Sequence, residues 1–582
     1  MSNRIRLLFS VAACAAFLAS GCSMHEQRAE ASAESAAAAA PARPAKSYDI
    51  ADFIDTVSVS GASFAPDESR LLFSSNRSGI WNAYTMPVGG GEWTAVTQST
   101  TDNVYAIGYF FDDARMLVTR DQGGNELNHV YVIEADGRER DLTPGDKLKA
   151  AFAGFSHAGD AFYLSSNERD PKFFDLYRYD ARTYARELVF RNDAGYELGE
   201  ISDDGRYIAL GKTRTTNDND LHLFDRDSGK VVHLTPHQGD AQFSAQDFAP
   251  DGRFLYYSSN EGSEFARLRR YEFATGTHSD VRSANWDITD VAFSHNGKYR
   301  IDMTNVDGAT VVELFDVASG TPVALPRLPA GEIRNVRISR SEARMAFYVN
   351  GDRQPNDLYV LDFGQAQPVR LTTSLSARID AADLVDSSVV RFKARDGLEI
   401  PNILWKPQQA TATNKAPAML LVHGGPGGQT TRAYNYAAQY LANHGYVILG
   451  INNRGSSGYG KSFFAADDGK HGREPLWDCV DGKAFLQTLD YVDTDRIGIM
   501  GGSYGGYATV AGLSFTPDVY AAGVSIVGPS NLITLLASIP PYWEAGRKIF
   551  NERMGDPGTA EGRAQLERQS PLNSATKIKS PL

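Results

Sequence analysis

Between about Asp49 and Leu375, short runs of alternating apolar and polar residues recur at a spacing of about 45 residues, each opened by a similar turn phrase. "FAPDES" at Phe64 returns as "FFDDAR" at Phe110, "FSHAGD" at Phe155, "ISDDGR" at Ile201, "FAPDGR" at Phe248, "FSHNGK" at Phe293 and "ISRSEA" at Ile338. An alternating strand such as "RLLFSSNRSG" or "RFLYYSSNEG" follows each turn, and then a second strand closing on an acidic residue, as in "VYVIEADG" or "LHLFDRDS". Alternation places one set of side chains on each face of a strand. Several short strands per unit with Asp/Gly turns therefore predict one antiparallel propeller blade per repeat. Seven units predict an all-β, seven-bladed propeller over residues 49–380.

The pattern changes at about Ala381. "VVRFKARDGLEIPNILWKP" reads as a pair of strands, while "PAMLLVHGGPGG" and "GYVILGINNRGSSGYG" are continuous apolar runs that end in glycine loops. A helical pattern around Cys479, the strand "RIGIMG" and a helix from Tyr504 complete the series. Continuous apolar strands alternating with helices predict a mostly parallel sheet covered on both faces, an α/β domain over 381–582 with loops at the strand ends available for chemistry.

At the N-terminus, Arg4 and Arg6 precede an apolar run over 7–18 that ends in "LASGC" at Cys22. This predicts an export signal over 1–21. The box resembles a bacterial lipoprotein cleavage site, with Cys22 as the lipidated residue and "VAAC" at Cys14 the weaker choice. Residues 22–48 are Ala-, Glu- and Pro-rich and predict a tether with no packed core. The expected location is the bacterial cell envelope, periplasmic or lipid-anchored, with no other membrane attachment.

Composition narrows the reading further. The 582 residues are enough for at least two domains, and 58 Lys plus Arg against 71 Asp plus Glu leave a net charge of −13, which argues against nucleic acid as a partner. After cleavage at Cys22 the remaining thiol is Cys479, read as a packed, inert residue in a helix. Asp67, Asp251, His157 and His295 fall in the repeat turns, where side-chain caps are expected, and His222 reads as a surface strand residue. No His, Cys and carboxylate cluster has metal-ligand spacing, and no cofactor is expected.

"GGSYG", Gly501 to Gly505, satisfies G-x-S-x-G with a strand before it and a helix after it. A serine there sits on a strained turn, and the glycines two positions either side leave room for close helix–strand packing. Ser503 is the candidate nucleophile.

With the upstream loops "LLVHGGPGG" and "NNRGSSGYGKSF" and the preceding propeller, "GIMGGSYGGYA" resembles the prolyl oligopeptidase family of serine peptidases, in particular its acylaminoacyl-peptidase and dipeptidyl-peptidase-like bacterial branch. The resemblance covers nearly all of the chain after the tether and implies an α/β-hydrolase peptidase domain. It also implies Ser503 as nucleophile, with the Tyr504 N–H and the Tyr459 hydroxyl as oxyanion donors. In "SIVGPSNLITLLASIPPYWEAG" it suggests Val527, Pro529, Tyr542 and Trp543 as the wall of an apolar pocket for proline or another hydrophobic P1 side chain.

The order of the catalytic residues in this fold is Ser, Asp, His, yet the last histidine is His471, before Ser503. Downstream, Asp518 and Asp556 read as loop caps; upstream, His423 reads as a loop-shaping residue and His444 as a helix C-terminal cap. The expectation is an incomplete hydrolase domain, with the Asp and His of the triad lying beyond residue 582. Without the histidine, kcat falls on the order of 10⁶-fold, so the chain as it stands is expected to be inactive. The resulting picture is a serine peptidase acting on short peptides, because a propeller over the site excludes folded chains. An envelope propeller protein with a relic hydrolase domain, and an esterase, are the alternatives.

Overall fold

In a computed structural model of the chain, residues 45–582 are described except 326, 327, 329 and 330. The expected signal segment, Cys14, Cys22 and nearly all of the tether lie outside the described residues.

Seven four-stranded antiparallel sheets span 59–95, 104–141, 150–190, 197–233, 243–282, 287–323 and 332–370. Each repeat phrase falls on the turn between the first and second strand of its blade. There Asp67 and Asp251 accept the backbone N–H two residues on, from Ser69 and Arg253, each at 3.0 Å. His157 and His295 lie in two further turns of this kind. They come from blades three and six and stack on each other at 4.2 Å with planes 8° apart. His222 stacks on His233 at 4.6 Å.

Apolar side chains on the blade faces form a cluster between each neighbouring pair of blades. Between blades one and two, for example, Leu72 and Ala83 meet Val118 and Tyr131. The ring closes the same way, with Leu71, Phe73 and Met86 of blade one against Tyr348, Leu358 and Val360 of blade seven. Each of the two blades takes its four strands from its own continuous stretch of chain, so they meet through packed side chains, with the Tyr348 hydroxyl donating to Gly61 O at 2.5 Å and the Val57 N–H to Ser374 O at 2.8 Å.

The second domain is a six-stranded sheet in the order Ser387–Lys393, Glu399–Trp405, Val447–Ile451, Ala416–Val422, Val492–Gly502, Gly523–Ile526. The first two pairings are antiparallel and the remaining three parallel. Helix Tyr436–Asn443 covers one face through Ala438 and Ala442. Helices Glu474–Gln487 and Tyr504–Phe515 cover the other, where Cys479, Ala508 and Leu513 meet Leu420 and Leu449. Cys479 is fully enclosed, and burial pushes its thiol pKa up, which keeps it protonated.

The domain boundary at the N-terminal side differs from the expected one. The first blade strand begins at Val59, and residues 46–54 pack instead on the second domain. Tyr48, placed in the tether by composition, is buried; its N–H donates to Asn443 Oδ1 at 3.0 Å and its hydroxyl to Asp383 at 2.5 Å. Phe53, on the short helix Ile50–Ile54, meets Tyr440 edge to face at 5.6 Å. Two aromatic side chains are enough to convert the end of a polar stretch into part of a core.

Candidate active site

The parallel pairing of Ala416–Val422 with Val492–Gly502 sets Val422 opposite Gly501, so the loops that follow these two strands emerge side by side. One is the "HGGPGG" loop and the other carries Ser503. A Cβ on Gly501 would stand 2.6 Å from Val422 O, and one on Gly505 only 2.0 Å from it. Only glycine allows the strand and the helix to come this close. Ser503 itself has φ 55° and ψ −119°, a left-handed φ that costs a non-glycine residue on the order of 1–3 kcal/mol. Its side chain is exposed, at the N-terminus of helix Tyr504–Phe515, and its N–H is held by Ile526 O at 2.9 Å.

Two sets of N–H groups flank it. That of Tyr504, in the first turn of the helix, has no acceptor among the described residues. The same is true of the N–H groups of Gly424 and Gly425, and a Cβ on Gly424 would lie 3.7 Å from that of Ser503. In an α/β-hydrolase fold the oxyanion site pairs the N–H after the nucleophile with one from the loop after this neighbouring strand. Gly424 and Gly425 stand in that place. The sequence reading passed over them although "HGGPGG" carries the signal.

Tyr459 is placed elsewhere. Its hydroxyl accepts from Asn452 Nδ2 at 3.0 Å and lies 3.6 Å from the Cβ position of Gly308 in blade six, with Trp286 against its ring at 6.2 Å. Burial pushes its pKa up to about 12. The loop thus turns this phenol, expected as the second oxyanion donor, toward blade six of the propeller.

The four pocket candidates divide. Val527 follows the residue that holds the Ser503 N–H and is 85% exposed at φ 47°, a strained conformation for a β-branched residue; Pro529 is half-buried two residues on. Tyr542 is committed to the propeller, donating to Glu126 at 2.9 Å beneath the Lys149 ammonium, 4.5 Å from its ring. Trp543 stacks on Phe550 at 5.9 Å and packs with Leu532, Leu536 and Met554. The first pair lies in the segment after Ile526, which holds the Ser503 N–H, while Trp543 belongs to the small helical layer beyond it.

No side chain among the described residues makes a hydrogen bond to Ser503 Oγ. His423 points its Nδ1 at Gly424 O and its Nε2 at Ser456 Oγ, both at 2.8 Å, and so shapes the loop. His444 Nδ1 meets Tyr440 O at 3.0 Å at a helix C-terminus. His471 Nδ1 meets the Tyr504 hydroxyl at 2.7 Å. Asp518 pairs with Lys579, and Asp556 accepts the Gly558 N–H in a turn.

This combination of propeller, doubly covered sheet and strained serine is a peptidase architecture, and comparison with known proteins gives the same answer. The profile of the prolyl oligopeptidase family matches residues 432–582. Dipeptidyl aminopeptidase BIII of Pseudoxanthomonas mexicana is 31% identical over 551 residues, taking in 90% of this chain and 78% of that protein. Dipeptidyl-peptidase 5 of Porphyromonas gingivalis is 23% identical over 522 residues, 84% of this chain and 66% of that one. A puromycin hydrolase of known structure superposes with a TM-score of 0.76 at 18% identity, covering 93% of this chain and 88% of its own. The chain belongs to the prolyl oligopeptidase family.

Proposed function

We propose that the protein is a serine peptidase that hydrolyses short peptides through an acyl-enzyme on Ser503. The observation that carries this reading is the exposed Ser503 hydroxyl on a left-handed turn, beside the unoccupied N–H groups of Tyr504 and of the Gly424–Gly425 segment. Ser503 Oγ attacks the scissile carbonyl as a general base takes its proton. The carbonyl oxygen becomes an anion facing those N–H groups, and collapse expels the amine, which takes up the proton. Water repeats the sequence on the ester. Loss of one such donor typically costs about 2.7–4 kcal/mol in the barrier.

No side chain among the described residues hydrogen-bonds Ser503 Oγ, and loss of the general base of such a triad typically lowers kcat on the order of 10⁶-fold. Val527 and Pro529 favour an apolar P1 side chain, and the likeness to a dipeptidyl aminopeptidase favours release of dipeptides from free N-termini. Contacts of the propeller with the hydrolase domain, as at Glu264 with the Ser462 hydroxyl at 2.8 Å and Asn305 with Gln429 at 2.7 Å, support a preference for short peptides. Lipidation at Cys22 would hold the enzyme at the cell envelope; incorporation of labelled fatty acid, abolished by Cys22→Ala, tests this.

A fluorophosphonate probe should label the protein, and Ser503→Ala should remove the label. Equal labelling of the two proteins sinks the reading. Hydrolysis of esters but of no peptide amide would assign the site to an esterase instead.

A further inference from the structure

Behind the proposed oxyanion site lies a sealed polar cluster that the reaction outlined above does not use. Arg553, Asp467 and His471 are each no more than 1% exposed. His471 meets Tyr504 edge to face at 5.2 Å, and its Nδ1 lies 2.7 Å from the Tyr504 hydroxyl. Burial pushes the His471 pKa down to about 4 and that of the Tyr504 phenol well up, so both groups are neutral at ordinary pH. With the phenol as donor, Nδ1 accepts, and the other ring nitrogen then carries hydrogen and faces Asp467 Oδ2 at 3.8 Å.

On its other side Asp467 accepts from Arg553 Nη2 at 2.6 Å, and the same nitrogen donates to Gly455 O at 3.0 Å. The guanidinium lies 4.4 Å over the Phe464 ring and against the backbone of Gly427, where a Cβ would come within 2.5 Å of Nη1. Gly427 belongs to the "HGGPGG" loop. One end of the cluster thus grips the side chain of the residue whose N–H follows the nucleophile, and the other end braces the loop that supplies the opposing N–H groups.

We propose that Arg553, Asp467 and His471 form a positioning unit that sets the spacing of the two oxyanion donors, with His471 anchoring Tyr504 and Arg553 anchoring the Gly424–Gly427 segment. The proposal rests on the reading of those N–H groups as the oxyanion site. Donors set by this cluster are in place before charge develops. Displacing them by a fraction of an ångström weakens the transition state more than the bound substrate.

Two variants leave the backbone of the site intact: His471→Leu removes the acceptor and Tyr504→Phe the donor. Each is expected to lower kcat about 10-fold or more, with KM changed less than about 2-fold. The double variant should be little worse than either, because both break one interaction. His471→Asn keeps an acceptor at the Nδ1 position and should recover most of kcat.

Hydrogen exchange of the amides in 424–428 and 503–505 supplies a readout independent of turnover. It should quicken in His471→Leu and in Arg553→Met while strand Ala416–Val422 stays protected. Unchanged kcat together with unchanged exchange overturns the proposal, as does His471→Asn behaving like His471→Leu. If His471→Leu fails to fold, Tyr504→Phe decides. If the wild-type protein hydrolyses neither peptides nor esters, the peptidase reading has failed, and the exchange measurement alone judges the positioning unit.

Discussion

At the scale of single residues, the turn that carries Ser503 was legible because its glycines, the strand before it and the helix after it are neighbours in sequence. Gly501, Ser503 and Gly505 lie within five positions of one another, between an apolar strand and a helix, and the contact their missing side chains permit is with the adjacent strand. Gly505→Ala should therefore be severe. Its Cβ would meet the Val422 carbonyl, a backbone atom that cannot move aside, so a loss of at least ~1–3 kcal/mol is expected. Urea unfolding and probe labelling would both report it. Tyr459 shows the opposite case. Its hydroxyl can reach several ångströms in any direction, and whether it meets Ser503 or Asn452 depends on how the loop turns against blade six. Nothing in "RGSSGYG" encodes that choice.

At the scale of elements, the blades were legible from period alone, and all seven turn phrases fall between the first and second strands of their blades. The segment 461–472 was not. It carries Asp467, Asp468 and His471, whose roles depend on an arginine more than eighty residues away. Burial, and then the neighbouring Asp467 and Glu552 carboxylates, push Asp468 up to about 7 against the opposing pull of Arg553. In the unfolded chain the same group titrates near 3.8. The folded state therefore holds the extra proton, and this contribution to stability is present below about pH 4 and is lost as the pH rises through about 7. Urea midpoints at pH 5 and pH 8 should differ less for Asp468→Asn than for the wild type; an unaltered difference would mean that other groups set the pH dependence.

At the scale of the whole molecule, the propeller is a ring whose first and last blades meet through packed side chains, with the Val57 N–H bonding Ser374 O where the chain enters and leaves. Leu71→Ala at that junction should cost about 2–5 kcal/mol, since the cluster with Tyr348 and Leu358 cannot fully collapse. Tyr348→Phe, which loses one hydrogen bond to the exposed Gly61, should cost only about 0.5–1.5 kcal/mol. Thermal melting of the two variants tests whether apolar burial or the hydrogen bond closes the ring. By itself, the sequence determined the repeat number, the α/β character of the second domain and the strand–turn–helix that carries Ser503, because strand alternation, helix period and a glycine-flanked turn are written in neighbouring residues. The tertiary structure alone decided that Tyr48 and Phe53 join the hydrolase core, that Tyr542 grips the propeller, and that Tyr504 hangs on a buried histidine. Those outcomes depend on which distant surfaces come into contact and shut out water, a property of the packed chain that no local pattern records.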